Sequence, residues 1–195
     1  MSLPAAQTVD EAAAVFLMPG ALHCAAVSTQ VTTILGSCVS VCLWDEVRRL
    51  GGMNHFVLPR RRHNATGPRF GDVAIDLLVN GMIRLGCRPE HMQAKVFGGA
   101  SVLPYCIQGP SVGTLNVETA LDHLHDLDIP VVAGQTGGDI GMWIRLRTDT
   151  GEVLARPLAR RADRLCDLCG GTPAEKPRKC RGSRGCGAPA PPAAE

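Results

Sequence analysis

Between Thr32 and Pro59 the chain places a cysteine, a histidine and two threonines in a setting suited to acyl transfer. Cys38 follows Gly36-Ser37, a turn of small residues between two apolar runs. Such a turn lets a reacting carbonyl approach the backbone closely and presents N–H groups to a developing oxyanion. A thiol is a weak nucleophile until a base removes its proton, and an imidazole is the usual base. His55, inside the apolar run Gly51-Gly-Met-Asn-His55-Phe-Val-Leu-Pro59, is the candidate. A third group must hold that imidazole in its working tautomer, and a hydroxyl from Thr32 or Thr33 serves. Cys42, between Val41 and Leu43, is the internal contrast and reads as a small core residue.

Other polar groupings carry less. Lys95-Val-Phe-Gly-Gly-Ala100 is glycine-rich but lacks the spacing and the Lys-Ser/Thr end of a phosphate loop, so it reads as a tight turn. His123 and His125, beside Asp122 and Asp126, read as a solvated helix face, and Arg60–Arg62 with His63 as a basic loop. Cys166-Asp-Leu-Cys169, together with Cys180 and Cys186, is a candidate four-thiolate zinc set. Its second pair is separated by five residues rather than two, and free thiols are the alternative.

The elements that must carry these residues are legible in the apolar pattern. Ala21–Val27, Val31–Leu35, Val39–Leu43, Met53–Leu58, Ala94–Phe97 and Ile129–Ala133 have strand length and composition. Trp143–Arg147 and Glu152–Ala155 flank a turn signal and predict a hairpin. Helices are predicted over Asp72–Leu85, with Ile75, Leu78, Val79 and Met82 on one face, and over Val112–Leu127. Many strands with two helices give an α/β (α+β) layered sandwich, a single domain over residues 15–159. Residues 1–14 read as a loose N-terminal leader. Residues 160–195, dominated by Cys, Arg, Pro and Gly, read as a disordered tail.

Charge excludes some functions. Residues 1–155 hold 11 Lys+Arg against 14 Asp+Glu, a balance of −3, whereas residues 156–195 hold 9 against 4, a balance of +5. The folded part is mildly acidic and offers no nucleic-acid face. The stretch Ala12–Val27 is broken by Pro19, Gly20 and His23, so no membrane insertion is expected. With Asp10 and Glu11 where a signal peptide would be positive, the expected location is cytoplasmic, and the nine cysteines read as thiols rather than as a disulfide framework.

At these residues the chain resembles the CheD family of chemoreceptor glutamine deamidases. The resemblance runs from about Phe16-Leu-Met-Pro-Gly20 to about Val153. It is carried by Thr32-Thr-Ile-Leu-Gly-Ser-Cys38-Val, Gly51-Gly-Met-Asn-His55-Phe-Val-Leu-Pro59, Phe70-Gly-Asp72, Ala94-Lys-Val-Phe-Gly-Gly-Ala100, Val112-Gly-Thr-Leu-Asn-Val117 and Gly137-Gly138. It implies a fold related to toxin-type protein deamidases. It assigns Cys38 as nucleophile, His55 as general base and Thr32 as the residue orienting the base. It implies hydrolysis of receptor glutamine side chains to glutamate through a Cys38 thioester, with no cofactor or metal. The partners implied are chemoreceptor cytoplasmic domains and a CheC-type phosphatase. Two positions depart from the family pattern: Gly141-Met142-Trp143 and Leu115 stand where an arginine is usual. A non-catalytic adaptor on the same fold is the competing expectation, and a thiol hydrolase of small amides is a third.

Overall fold

The computed structural model of the chain describes residues 13–61, 66–101 and 109–159. The zinc candidates Cys166, Cys169, Cys180 and Cys186, the tail, His63, Arg62 and most of the leader lie outside the described residues. The strands are β1 (Ala13–Phe16), β2 (Ala21–Ala25), β3 (Thr29–Leu35), β4 (Val39–Asp45), β5 (Leu50–His55), β6 (Met92–Gly98), β7 (Val131–Thr136), β8 (Met142–Arg147) and β9 (Val153–Pro157). The helices are α1 (Gly71–Arg84) and α2 (Val112–Asp126). β1, β3, β8 and β9 form one sheet in the order β1-β3-β8-β9, and the other five form a second sheet in the order β2-β5-β4-β6-β7. The mixed α/β single domain expected from the pattern is therefore present. β1 begins two residues inside the segment read as a leader, in parallel register with β3 (Ala13 opposite Thr29).

The second sheet is the middle layer. Val39, Val41 and Leu43 of β4 join Ala74, Ile75, Leu78 and Met82 of α1 and Ala120 and Leu124 of α2 in one core. Cys42 of β4 and Met53 of β5 face the other way and join Val31, Leu35, Ile144 and Leu146 of the first sheet in a second core. A strand buried on both faces loses most of the polar half of its alternation, which is why Ser40 is the one polar residue in Val39–Leu43. α2 starts on a Ser111 cap whose hydroxyl accepts the Thr114 N–H at 3.0 Å. Just past α1, Gly86, at φ 85°, lets the chain turn back so that Cys87 N–H reaches the Met82 carbonyl.

The β4–β5 hairpin fixes the register on which the site depends. Asp45 opposes Leu50, Cys42 opposes Met53, and the pairing resumes at Val39 opposite Phe56. A slip of one residue would send His55 from the inter-sheet face to the helix face. The buried Asp45 carboxylate holds the turn by accepting the N–H groups of Val47 and Arg48, and it also accepts that of Arg88. Burial alone would raise this carboxyl, but the three N–H bonds outweigh it and hold the group below the ordinary Asp range. Its contribution to stability is present above the unfolded value and is lost as pH falls through the lowered folded value. Asp45→Ala is expected to cost about 3 kcal/mol in urea unfolding at pH 7, since it orphans charge-assisted bonds. The gap from wild type should shrink as pH falls below 4.

Candidate active site

Cys38 lies in the short connection between β3 and β4, half-buried at the edge of the inter-sheet core. Val39 and Phe56 exchange both backbone hydrogen bonds, at 3.1 and 3.0 Å. Continuing that register puts Val57 opposite Cys38 and makes His55 its diagonal neighbour on the same face of the sheet. Diagonal neighbours in an antiparallel pair stand about 7–8 Å apart at the backbone, within reach of a ring and a thiol. One residue along, the ladder is altered. The Val41 N–H bonds the Asn54 side-chain oxygen at 2.8 Å, and the Ser40 hydroxyl donates to the Asn54 carbonyl at 2.6 Å. Side chains thus replace a main-chain rung directly beside the histidine.

His55, at the end of β5, is 2% exposed. Its Nδ1 meets the Thr33 hydroxyl at 2.8 Å, and that hydroxyl donates to the Leu17 carbonyl at 2.7 Å. The expectation that Thr32 orients the ring is corrected here: the hydroxyl on the ring is that of Thr33. The reason is the strand's two-residue period. Val31, Thr33 and Leu35 point into the inter-sheet core, whereas Thr32 and Ile34 point out of the first sheet. The signal available in the sequence was that alternation, weakened because Ile34 puts a large aliphatic residue on the outer face too, where it is 47% exposed.

The tautomer follows from counting protons. A hydroxyl has one hydrogen, and a carbonyl oxygen can only accept. With the Thr33 hydrogen committed to Leu17, the hydroxyl can only accept from the ring, so Nδ1 carries the proton. Nε2 is then the unprotonated nitrogen. It is buried and has no partner among the described residues. Burial lowers the His55 pKa from its ordinary value, partly opposed by the Leu17 carbonyl. Burial also raises that of the Cys38 thiol, partly opposed by its own backbone N–H. Both shifts favour the neutral forms, a thiol beside an uncharged imidazole. A neutral imidazole with an unprotonated Nε2 has the form a general base requires.

The loop around the thiol is tied at every carbonyl. Gly36 O accepts the Ala100 N–H at 2.8 Å, Ser37 O accepts Asn116 Nδ2 at 2.8 Å, and Cys38 O accepts the Gly99 N–H at 2.8 Å. The glycine-rich segment, read as a tight turn, is instead the end of β6 as far as Gly98, and the chain bends away only at Gly98 and Gly99, both at positive φ. Its backbone comes so close to Cys38 that a Cβ on Gly98, whose φ is 103°, would lie 2.2 Å from Cys38 O. Asn116 was visible only as part of a motif, and its contacts were not. Cys42 is 2% exposed in the inter-sheet core, as expected, and burial pushes its thiol up to about 12.

The remaining candidates are not brought to the site. On the solvated face His123 is partly covered, its Nε2 meeting Asp76 at 2.8 Å to link α2 to α1, while His125 stays exposed. Arg60 and Arg61 pair with Asp122 and Asp72 at 3.4 and 3.7 Å, exposed contacts worth little. Among the described residues no cluster of three or more His, Cys, Asp or Glu side chains could hold a metal ion. No described helix is long and apolar enough to cross a membrane.

Residues 57–157 match the family model described as CheD chemotactic sensory transduction. A protein of Rhodospirillum rubrum named probable chemoreceptor glutamine deamidase CheD is 50% identical over 143 residues, 73% of this chain and 81% of the relative. The chain belongs to the CheD family. Similarly named CheD proteins of Trichlorobacter lovleyi and Anaeromyxobacter dehalogenans are 44% and 42% identical, covering 71% and 75% of this chain and 87% and 85% of their own lengths.

Two substitutions separate the threonines. Thr33→Val removes the hydroxyl on the His55 ring and is expected to slow turnover about 10- to 100-fold, from the 1–3 kcal/mol cost of a lost buried partner. Thr32→Val is expected to stay within about threefold, as for an outward-facing position. Steady-state ammonia release from a receptor fragment checks both. The pH dependence of Cys38 alkylation by iodoacetamide checks the neutral pair. The rate should climb with pH up to and beyond the ordinary thiol value of 9.0, because the folded value is raised. A thiolate–imidazolium pair would instead plateau near neutrality.

Proposed function

We propose that this chain is a protein-glutamine deamidase that converts glutamine side chains on chemoreceptor cytoplasmic domains to glutamate. The observation that carries the proposal is the His55 ring, fixed by Thr33 with its free Nε2 on the face it shares with Cys38. The names of the 40–50% identical relatives support the substrate.

In the first half-reaction the Cys38 thiol gives its proton to His55 Nε2 as the sulfur attacks the carboxamide carbon. The C=O π pair moves to oxygen. Collapse of that intermediate expels the nitrogen, which takes the proton from the imidazolium and leaves as ammonia, and a thioester remains. In the second half-reaction water gives a proton to Nε2 and attacks the thioester. Collapse breaks the C–S bond, the Cys38 sulfur takes the proton back from Nε2, and the acid released loses its own proton to solvent as glutamate. Thr33 keeps the same ring nitrogen protonated throughout, so Nε2 does all the proton transfer. No step calls for a cofactor.

The reading places the chain in the cytoplasm, where receptor signalling domains are reached, and makes a CheC-type phosphatase a second partner on the grounds of family resemblance. The same resemblance relates the fold to toxin-type protein deamidases. It is consistent with the two sheets and the helix layer, with the nucleophile at a loop between strands of different sheets. An adaptor that only binds receptors has no need of a buried histidine with a committed tautomer.

Incubating the chain with receptor cytoplasmic fragments should convert specific glutamines to glutamate, a mass gain of about 1 Da that peptide mass spectrometry reads. Cys38→Ala and His55→Ala should abolish conversion while leaving receptor binding intact. Conversion by Cys38→Ala at the wild-type rate would overturn the thiol mechanism and leave the adaptor or an unrelated hydrolase.

A further inference from the structure

Asn116 is fully buried in α2, and its one amide nitrogen serves both halves of the site. Nδ2 donates to Ser37 O at 2.8 Å and to Val57 O at 3.0 Å, joining the residue before the nucleophile to the segment that follows the base. Its Oδ1 is buried with no partner among the described residues. An orphaned buried acceptor costs about 1–3 kcal/mol, which a leucine or methionine at this position would avoid. The amide is retained against that cost, so the two donated bonds matter.

Peptide geometry indicates what the first of them does. A trans peptide is planar, and its C=O points opposite to the N–H that follows. The Ser37 carbonyl and the Cys38 N–H belong to the same peptide. Asn116 reaches Ser37 O from α2, on the helix side of the second sheet. Holding that carbonyl toward the helices directs the Cys38 N–H to the inter-sheet side, the face that carries the Cys38 and His55 side chains. The flanking planes cannot rotate to undo this, because Gly36 O and Cys38 O are held by Ala100 and Gly99, and Val39 N–H is held by Phe56. Among the described residues no other group accepts the Cys38 N–H, and it lies close enough to its own sulfur to favour the thiolate slightly.

We propose that Asn116 is a positioning residue for catalysis: by fixing the Ser37 carbonyl it aims the Cys38 N–H at the oxygen of the substrate carboxamide. That N–H then stabilises the oxyanion formed when the C–S bond is made, and again when water attacks the thioester. The proposal rests on the thiol mechanism above and adds a residue, on a different element, that touches neither substrate nor the reacting atoms.

Alkylation separates this role from a merely structural one. Iodoacetamide reacts at a saturated carbon, so it needs the thiol and its base but builds no oxyanion, whereas deamidation needs all three. Asn116→Ala is expected to lower deamidation kcat by about 100-fold, the usual effect of losing one oxyanion donor, with KM within about threefold. The Cys38 alkylation rate and its pH profile should match wild type. Asn116→Ser, which keeps a short polar side chain, is read in the same way if the alanine variant does not fold. Unchanged kcat in a folded variant would overturn the proposal. So would a parallel fall in alkylation and turnover, which would mean that Asn116 sets the thiol–imidazole geometry instead. Failure here is distinct from failure of the thiol mechanism, since the latter shows as wild-type turnover in Cys38→Ala whatever Asn116 does.

Discussion

A hydroxyl has a single proton, and the site depends on where Thr33 puts it. Donated to the Leu17 carbonyl, it leaves the oxygen able only to accept, and that fixes the proton of His55 on Nδ1. The three residues come from different places: Leu17 from the segment after β1, Thr33 from the first sheet and His55 from the second. The bond is therefore a contact between sheets. It exists only if both sheets stack in one registration, and the inter-sheet core of Val31, Leu35, Met53, Phe97, Ile144 and Leu146 supplies that stacking. Water is excluded from the ring by the same packing, which keeps the imidazole neutral and ready to accept a proton.

On the Cys38 side the proposed mechanism requires rigidity of backbone rather than of side chain. Among the described residues no side chain holds the Cys38 thiol forward. Its loop is fixed through its carbonyls by Gly99, Ala100 and Asn116. This explains two glycines in succession: Gly98 must leave room for Cys38 O, and Gly99, at φ 73°, presents its N–H to that same oxygen. A thiol and an imidazole both pushed toward their neutral forms suit an enzyme that charges them only with substrate in place. A reactive thiolate at rest would be exposed to oxidation between turnovers.

Much of this was legible in the residues. The two helices and nearly all the strands follow from periodicity, and Cys38 and His55 stand out because a thiol after Gly-Ser and a histidine in an apolar run both ask for an explanation. The choice between Thr32 and Thr33 was not legible, because β3 carries large aliphatic residues on both faces and its inward face is set by packing against the second sheet. β1 was missed because a four-residue strand, Ala13–Phe16, pairs through its backbone and shows no alternation in Ala-Ala-Val-Phe. Asn116 is invisible for a related reason: its partners, Ser37 and Val57, are 79 and 59 residues away and are contacted at their carbonyls, which no side-chain pattern records.

Nitrogen NMR of histidine-labelled protein tests the committed tautomer most directly, with His55 assigned by comparison with a His55→Ala sample. At pH 7 the two ring nitrogens of His55 should be distinct. Nδ1 should be protonated and coupled to a hydrogen that exchanges slowly with solvent, and Nε2 should resonate as an unprotonated, pyridine-type nitrogen. In Thr33→Val that single-tautomer signature should blur. An imidazolium with both nitrogens protonated, or a ring carrying its proton on Nε2, would contradict the account.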